Sequence, residues 1–222
     1  LGDQRRTTVI TEEADNISTE DLIAREAMTI TVTRDGYIKR MPIDTYRVQR
    51  RGGRGILALN KKEEDDVQDL FVASTHDLII CLTDRGRAYQ LKAWQVPMAS
   101  RTARGTPLIN LVPTEQGEQI TAQIPVKDFS QGGYLIMATE QGMIKKTPLE
   151  EYDTALRTKG LIAISLKEND RLKWVAWTDG TKDIMMVTRQ GKAARFSEEA
   201  VRPMGRTAAG VIALRLRPGD AI

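Results

Sequence analysis

The chain repeats itself four times, and that repetition restricts its fold more than any other property. Each copy carries an apolar run, a threonine, two polar or charged residues and a glycine: Met28–Gly36, Leu78–Gly86, Tyr134–Gly142 and Ile184–Gly191. The threonines, Thr33, Thr83, Thr139 and Thr188, all stand three positions before their glycine. A second glycine follows in every copy, Gly55, Gly105, Gly160 and Gly210, at nearly constant spacing from the first. The copies themselves recur with a period of about 50 residues, the length of a supersecondary unit that buries a core only by stacking on its neighbours.

The units read as strands. Met28, Ile30 and Val32 alternate with Thr29, Thr31 and Thr33, the period of a half-buried strand. Leu78–Leu82 is continuously apolar, which suits a strand covered on both faces. The Asp-Gly, Arg-Gly and Gln-Gly pairs that follow are hairpin signals, because glycine takes the positive φ of a tight turn. Alternating runs after the second glycine, such as Ile56–Leu59 and Val211–Leu216, and a later run at Val67–Ala73, supply further strands. Tyr46, Trp94 and Tyr152 follow the first glycines at similar offsets and are expected to pack each unit. The expected fold is all-β and propeller-like, with four-stranded blades from residues 28–75, 76–130, 131–180 and 181–222. The fourth copy ends where the first reaches Val67, so it is incomplete. Residues 1–27 form a lead with three arginines against seven carboxylates, a net −4, which leaves +7 on the rest of a chain of +3.

Composition removes several function classes. One cysteine, Cys81, excludes a disulfide framework or a CxxC metal site. One histidine, His76, argues against triad and zinc chemistry. Aromatics at 5% are too few for a base-stacking surface. No GxGxxG follows a strand and no GxxxxGK[ST] occurs. Cys81 reads as a buried small hydrophobe, and the Glu12-Glu13, Glu63–Asp66 and Glu150-Glu151 runs as solvated turns. No catalytic constellation and no metal site emerges. With no apolar run long enough to cross a bilayer and no signal-peptide core, the chain is expected to be soluble and cytoplasmic, without a membrane partner.

The charge is patterned instead. Between first and second glycines the copies hold six, four, four and four basic residues against one, zero, three and two acids, a net +12 that leaves −9 elsewhere. The densest stretch runs from Arg47 through Gln49, Arg50, Arg51, Gly52, Gly53, Arg54 and Gly55. Arginine forks match phosphate oxygens in two-point geometry, and glycines let backbone N–H groups approach an anion. An isolated stretch of this kind is equally well a solvated Arg/Gly loop. Its siblings, Arg101 with Arg104, Arg157 with Lys159, and Arg206, favour anion binding. A second basic element follows the hairpin glycine: Lys39, Arg40, Arg87, Lys145, Lys146, Lys192 and Arg195. Alone it reads as a solvated strand face or as lysines blunting a sheet edge. With the loop arginines it reads as a track for a polyanion, on which replacing Lys145 and Lys146, or Arg101 and Arg104, would weaken binding and leave stability unchanged.

The stretch Gln49–Gly55, with Thr33–Arg40 before it and the fourfold repeat around it, resembles the C-terminal domain of the bacterial DNA gyrase A protein, of the type IIA topoisomerase family. Leu1–Thr7 resembles the exit from that protein's catalytic core. The resemblance spans essentially the whole chain and implies a β-pinwheel, a disc whose blades exchange strands. It implies a non-catalytic module that binds, bends and wraps double-stranded DNA without sequence specificity, so that the holoenzyme introduces negative supercoils. The implied partners are the catalytic core of gyrase A and, through it, gyrase B. No cofactor belongs to the domain; ATP and Mg2+ would act elsewhere in the holoenzyme. The equivalent domain of topoisomerase IV and a protein-binding propeller of the WD40 kind are the alternatives. The intact Gln49–Gly55 favours gyrase, and the lack of recurring Gly-His or Trp-Asp pairs disfavours WD40.

Overall fold

Four copies of one hairpin organise the molecule. A computed structural model describes residues 19–45, 66–154 and 160–222, and none of these residues is α-helical. The first repeat contributes β1 (Ala27–Thr33), β2 (Tyr37–Pro42) and β3 (Val67–Ser74). The second contributes β4 (Leu78–Thr83), β5 (Arg87–Lys92), β6 (Thr106–Pro107) and β7 (Ile120–Val126). The third contributes β8 (Tyr134–Thr139), β9 (Met143–Pro148), β10 (Leu161–Ile162) and β11 (Leu172–Thr178). The fourth contributes β12 (Asp183–Val187), β13 (Ala193–Ser197) and β14 (Val211–Ile212).

The shared geometry of the hairpins explains their sequence signature. All four first glycines have positive φ, between 74° and 83°. Each donates its N–H to the carbonyl of the threonine three residues earlier, at 2.9–3.1 Å. The threonine hydroxyl accepts the N–H four residues on: Tyr37 to Thr33, Arg87 to Thr83, Met143 to Thr139 and Lys192 to Thr188, at 3.1–3.2 Å. All four threonines are buried. A buried N–H left without an acceptor is costly, so the threonine and glycine recur as a pair.

The sheets cross the repeat boundaries. Their strand orders are β3-β1-β2-β6, β7-β4-β5-β10 and β11-β8-β9-β14, all antiparallel; β12-β13 has two strands among the described residues. The strand beside β2, β5 or β9 therefore comes from the following repeat. The alternating run expected over Val211–Leu216 pairs only through Val211 and Ile212. It stops there because β9 has reached its turn, and the Gly142 carbonyl accepts both Ala213 and Leu214 N–H. Ile222 takes the offset from Gly210 that Val67 has from Gly55, and the preceding Ala221 carbonyl accepts the Arg189 N–H as the Asp66 carbonyl accepts that of Arg34.

The core lies between blades. Ile30, Val32 and Ile38 pack with Ile79, Cys81, Tyr89 and Leu91, while Ile80 and Leu82 pack with Leu135 and Met137. Neighbouring residues of β4 thus enter different cores, as its unbroken apolar run requires. Strand β1 departs from the half-buried expectation, because Thr29 and Thr31 are buried along with Met28 and Ile30. They stand opposite Met41 and Lys39 in the ladder, and both of those are buried too. Tyr152 fills the core with Leu135 and Met137 as expected, whereas Trp94 is half-buried; Tyr46 lies outside the described residues.

Candidate nucleic-acid interface

Among the described residues, the basic segments of the second and fourth repeats form loops laid along the preceding blade. Residues 97–99 run beside β2, with Arg40 N–H donating to Pro97 O at 3.1 Å and Ala99 N–H donating to Arg40 O at 3.2 Å. In the fourth repeat, Met204 N–H donates to Lys146 O at 2.8 Å, and Pro203 bridges to Lys146 as Met98 does to Arg40. Each of these loops closes on its second glycine. At Gly105, φ is +96° and a Cβ would stand 2.6 Å from the Ile38 carbonyl oxygen. Gly210 meets the Ile144 carbonyl in the same way. Only glycine lets the loop seat flush against the strand.

Three residues expected on the outer track are inside. Lys39, Lys145 and Lys146 are 1%, 0% and 4% exposed. The Lys39 ammonium donates to the carbonyls of Arg101 at 2.6 Å and Ala103 at 2.8 Å, and more weakly to that of Ser100. The Lys145 ammonium donates to the carbonyls of Ala163 and Arg206. Lys146 donates to the Glu198 carbonyl at 2.7 Å and lies over the Tyr134 ring at 5.1 Å. The expectation that Lys145 and Lys146 are solvent charges with no bearing on stability is corrected accordingly. Segments of the next repeat cover them, and their ammonium protons satisfy the Arg206 and Glu198 carbonyls there, with Ala163 of the same repeat as a second acceptor for Lys145. Burial lowers the Lys145 pKa to about 8, Glu151 opposing the shift and Arg206 reinforcing it. Burial also lowers the pKa of Lys39.

Arg40 is half-buried, and its Nε donates to the Val96 carbonyl. Gln90 holds the same register position in the second blade and donates to the matching carbonyl, that of Tyr152. In place of Lys39 and Lys145, β5 carries Tyr89. Its hydroxyl donates to Glu118 at 3.0 Å, and its ring meets Gly160. Burial and Glu118 push the Tyr89 phenol up to about 12.

Among the described residues, the remaining expected contacts stay at the surface or near it. Arg101 is half-buried, with its carbonyl held by Lys39. Arg104 is exposed, lies 3.9 Å above the Tyr37 ring and pairs with Asp35 at 3.0 Å. Arg206 is half-buried with Glu151 at 3.9 Å, Arg87 faces Glu115 at 3.6 Å, and Arg195 is exposed beside Asp183. Lys192 is half-buried. The charge count included Glu151, whereas Asp35, Glu115 and Asp183 lie outside the segments counted. Exposed pairs of this kind contribute little to stability. Counting between glycines also passed over Lys167, Arg215 and Arg217, which line one cleft with Gln141 and Asp220. Arg47, Gln49, Arg50, Arg51, Gly52, Gly53, Arg54, Gly55, Arg157 and Lys159 lie outside the described residues. Two of these, Arg51 and Arg54, have the offsets from Gly55 that Arg101 and Arg104 have from Gly105. Among the described residues no helix is long and apolar enough to cross a membrane, and no cluster of His, Cys, Asp or Glu is arranged to hold a metal.

The geometry has counterparts. The chain is 45% identical over its full length to the DNA gyrase A protein of Salmonella typhimurium. It is 48% identical over 95% of its length to that of Clostridium acetobutylicum. It spans about a quarter of the length of these relatives. The C-terminal domain of DNA topoisomerase IV superposes with a TM-score of 0.78 at 32% identity, over 90% of this chain and 60% of that one. A DNA gyrase A C-terminal domain shares the fold at a TM-score of 0.65 and 22% identity, over 89% of this chain and 63% of that one. The family described as the DNA gyrase C-terminal domain, beta-propeller, matches residues 28–74, 77–127, 133–176 and 182–222, one stretch for each repeat. The chain belongs to the DNA gyrase C-terminal domain family.

Proposed function

We propose that this chain is the DNA-wrapping module of a gyrase A protein, binding and bending double-stranded DNA without base specificity. In this reading it carries no catalytic residue. It works in the cytoplasm through the catalytic core of gyrase A and, beyond that, gyrase B, supporting ATP-dependent negative supercoiling by the holoenzyme. The observation that carries the reading is the recurrence of one loop. Arg51 and Arg54 of the Gln49–Gly55 stretch take the sequence positions of Arg101 and Arg104, whose loop is seated on the neighbouring blade.

Lysine and arginine contacts to phosphate hold no sequence information; preference enters through the ease of bending the duplex. Filter binding at two salt concentrations tests this, since phosphate contacts release counterions and affinity then falls steeply with salt. Unrelated duplexes of equal length are expected to compete within about tenfold. One sequence preferred by ~10³ or more, the range of specific binders, would refute the proposal. Absence of DNA affinity would favour a protein-binding propeller.

A further inference from the structure

Lys39 and Lys145 occupy one register position, three residues after the first glycines Gly36 and Gly142. Both ammonium groups point into the loop of the following repeat and donate to the carbonyl four residues before that loop's second glycine. For Lys39 the acceptor is Arg101, before Gly105; for Lys145 it is Arg206, before Gly210. A second carbonyl completes each cage, that of Ala103 for Lys39 and that of Ala163 for Lys145. The side chains of Arg101, Arg104 and Arg206 stand on the same short loops. The backbone that carries the arginines is thus held from beneath by a lysine of the preceding repeat, far away in sequence. With side chains no more than 1% exposed, neither lysine reaches a phosphate.

We propose that Lys39 and Lys145 are positioning residues, each fixing the loop of the next repeat so that its arginines meet DNA without the lysine touching DNA itself. The proposal rests on the reading of these loops as DNA contacts. A buried ammonium supplies up to three donors to carbonyls that would otherwise be orphaned, so the cage has one preferred shape. A loop held in one shape does not lose ordering entropy on binding, and its affinity rises for that reason.

The test uses Lys39→Met and Lys145→Met, each alone and combined with alanine at the arginines of the loop it holds. Lys39→Met is expected to speed trypsin cleavage after Arg101 and Arg104 by tenfold or more. It should lower duplex affinity about as far as Arg101→Ala with Arg104→Ala, and adding those changes to Lys39→Met should cost little more. Such non-additivity marks residues acting as one unit. Lys145→Met should do the same with Arg206→Ala. Losses that simply add, or loops that stay protected from trypsin, overturn the proposal.

If neither methionine variant folds, the unaltered protein decides. Lys39 and Lys145 must then resist amine acetylation equally with and without DNA, while phenylglyoxal labelling of Arg101, Arg104 and Arg206 falls when DNA is added. Acetylation of either lysine that DNA suppresses overturns the proposal. Freed loops in the methionine variants, with arginines that DNA never protects, would uphold the loop cage as a structural device and overturn the DNA reading of these loops.

Discussion

At the scale of the residue, a buried lysine is a charge whose proton is negotiable. Lys145 has an ordinary pKa of 10.5 in the unfolded chain and about 8 in the folded one, chiefly because burial disfavours its charged form. The unfolded state therefore binds more protons between these values, and stability rises with pH across that window. Integrated from pH 7 to pH 9.5, the gain is about 2 kcal/mol. Cys81, its thiol raised to about 12 by burial, and Tyr89 act in the opposite sense above pH 9 and 10. The clean measurement is a difference: urea unfolding of the parent and of Lys145→Met at both pH values. The parent should gain about 2 kcal/mol relative to the variant, and an unchanged difference would contradict the burial of this ammonium.

At the scale of the element, the hairpin threonines are equivalent in backbone geometry but unequal in their surroundings. Thr83 accepts from Arg87 N–H and also donates to the buried Glu118 at 2.5 Å; the same carboxylate accepts from Tyr89 and from Glu115 N–H. Thr139 accepts from Met143 N–H. Thr83→Val should therefore destabilise by about 1–3 kcal/mol more than Thr139→Val, the cost of an unsatisfied buried partner. Thermal melts of both variants check this, and equal losses would mean that Glu118 finds another donor. The hairpins themselves were legible in the sequence, because threonine, glycine and the apolar run act within one short segment, and the two-faced burial of β4 followed from Leu78–Leu82. The direction of Lys39, Lys145 and Lys146 was not legible. Each stands on a strand where a solvated cation is equally at home, and each is held by at least one carbonyl from the next repeat, more than 50 residues along the chain. A count of charges sees the cation but not the carbonyls it satisfies.

At the scale of the whole molecule, the proposed wrapping would ask more of the loops than binding alone. Smooth bending of a duplex over tens of base pairs stores several kcal/mol, so a contact at the end of the path matters beyond its own strength. Alanine at Arg50, Arg51 and Arg54 is expected to weaken simple binding modestly while removing the wrap. Nicked circles ligated in the presence of the chain report this directly, and a triple variant that shifts linking number as far as the parent would exclude the Gln49–Gly55 stretch from wrapping. The exchange of strands between repeats carries a further consequence, for the order in which the molecule is made and the ease with which it changes length. On a ribosome, β1, β2 and β3 are complete at Ser74, while the strand that closes their sheet, Thr106–Pro107, has yet to be synthesised. Each such hairpin therefore waits with a bare edge for its successor. Because the donor is whichever copy comes next, an internal copy could be gained or lost and each sheet that precedes another repeat would still find its outer strand.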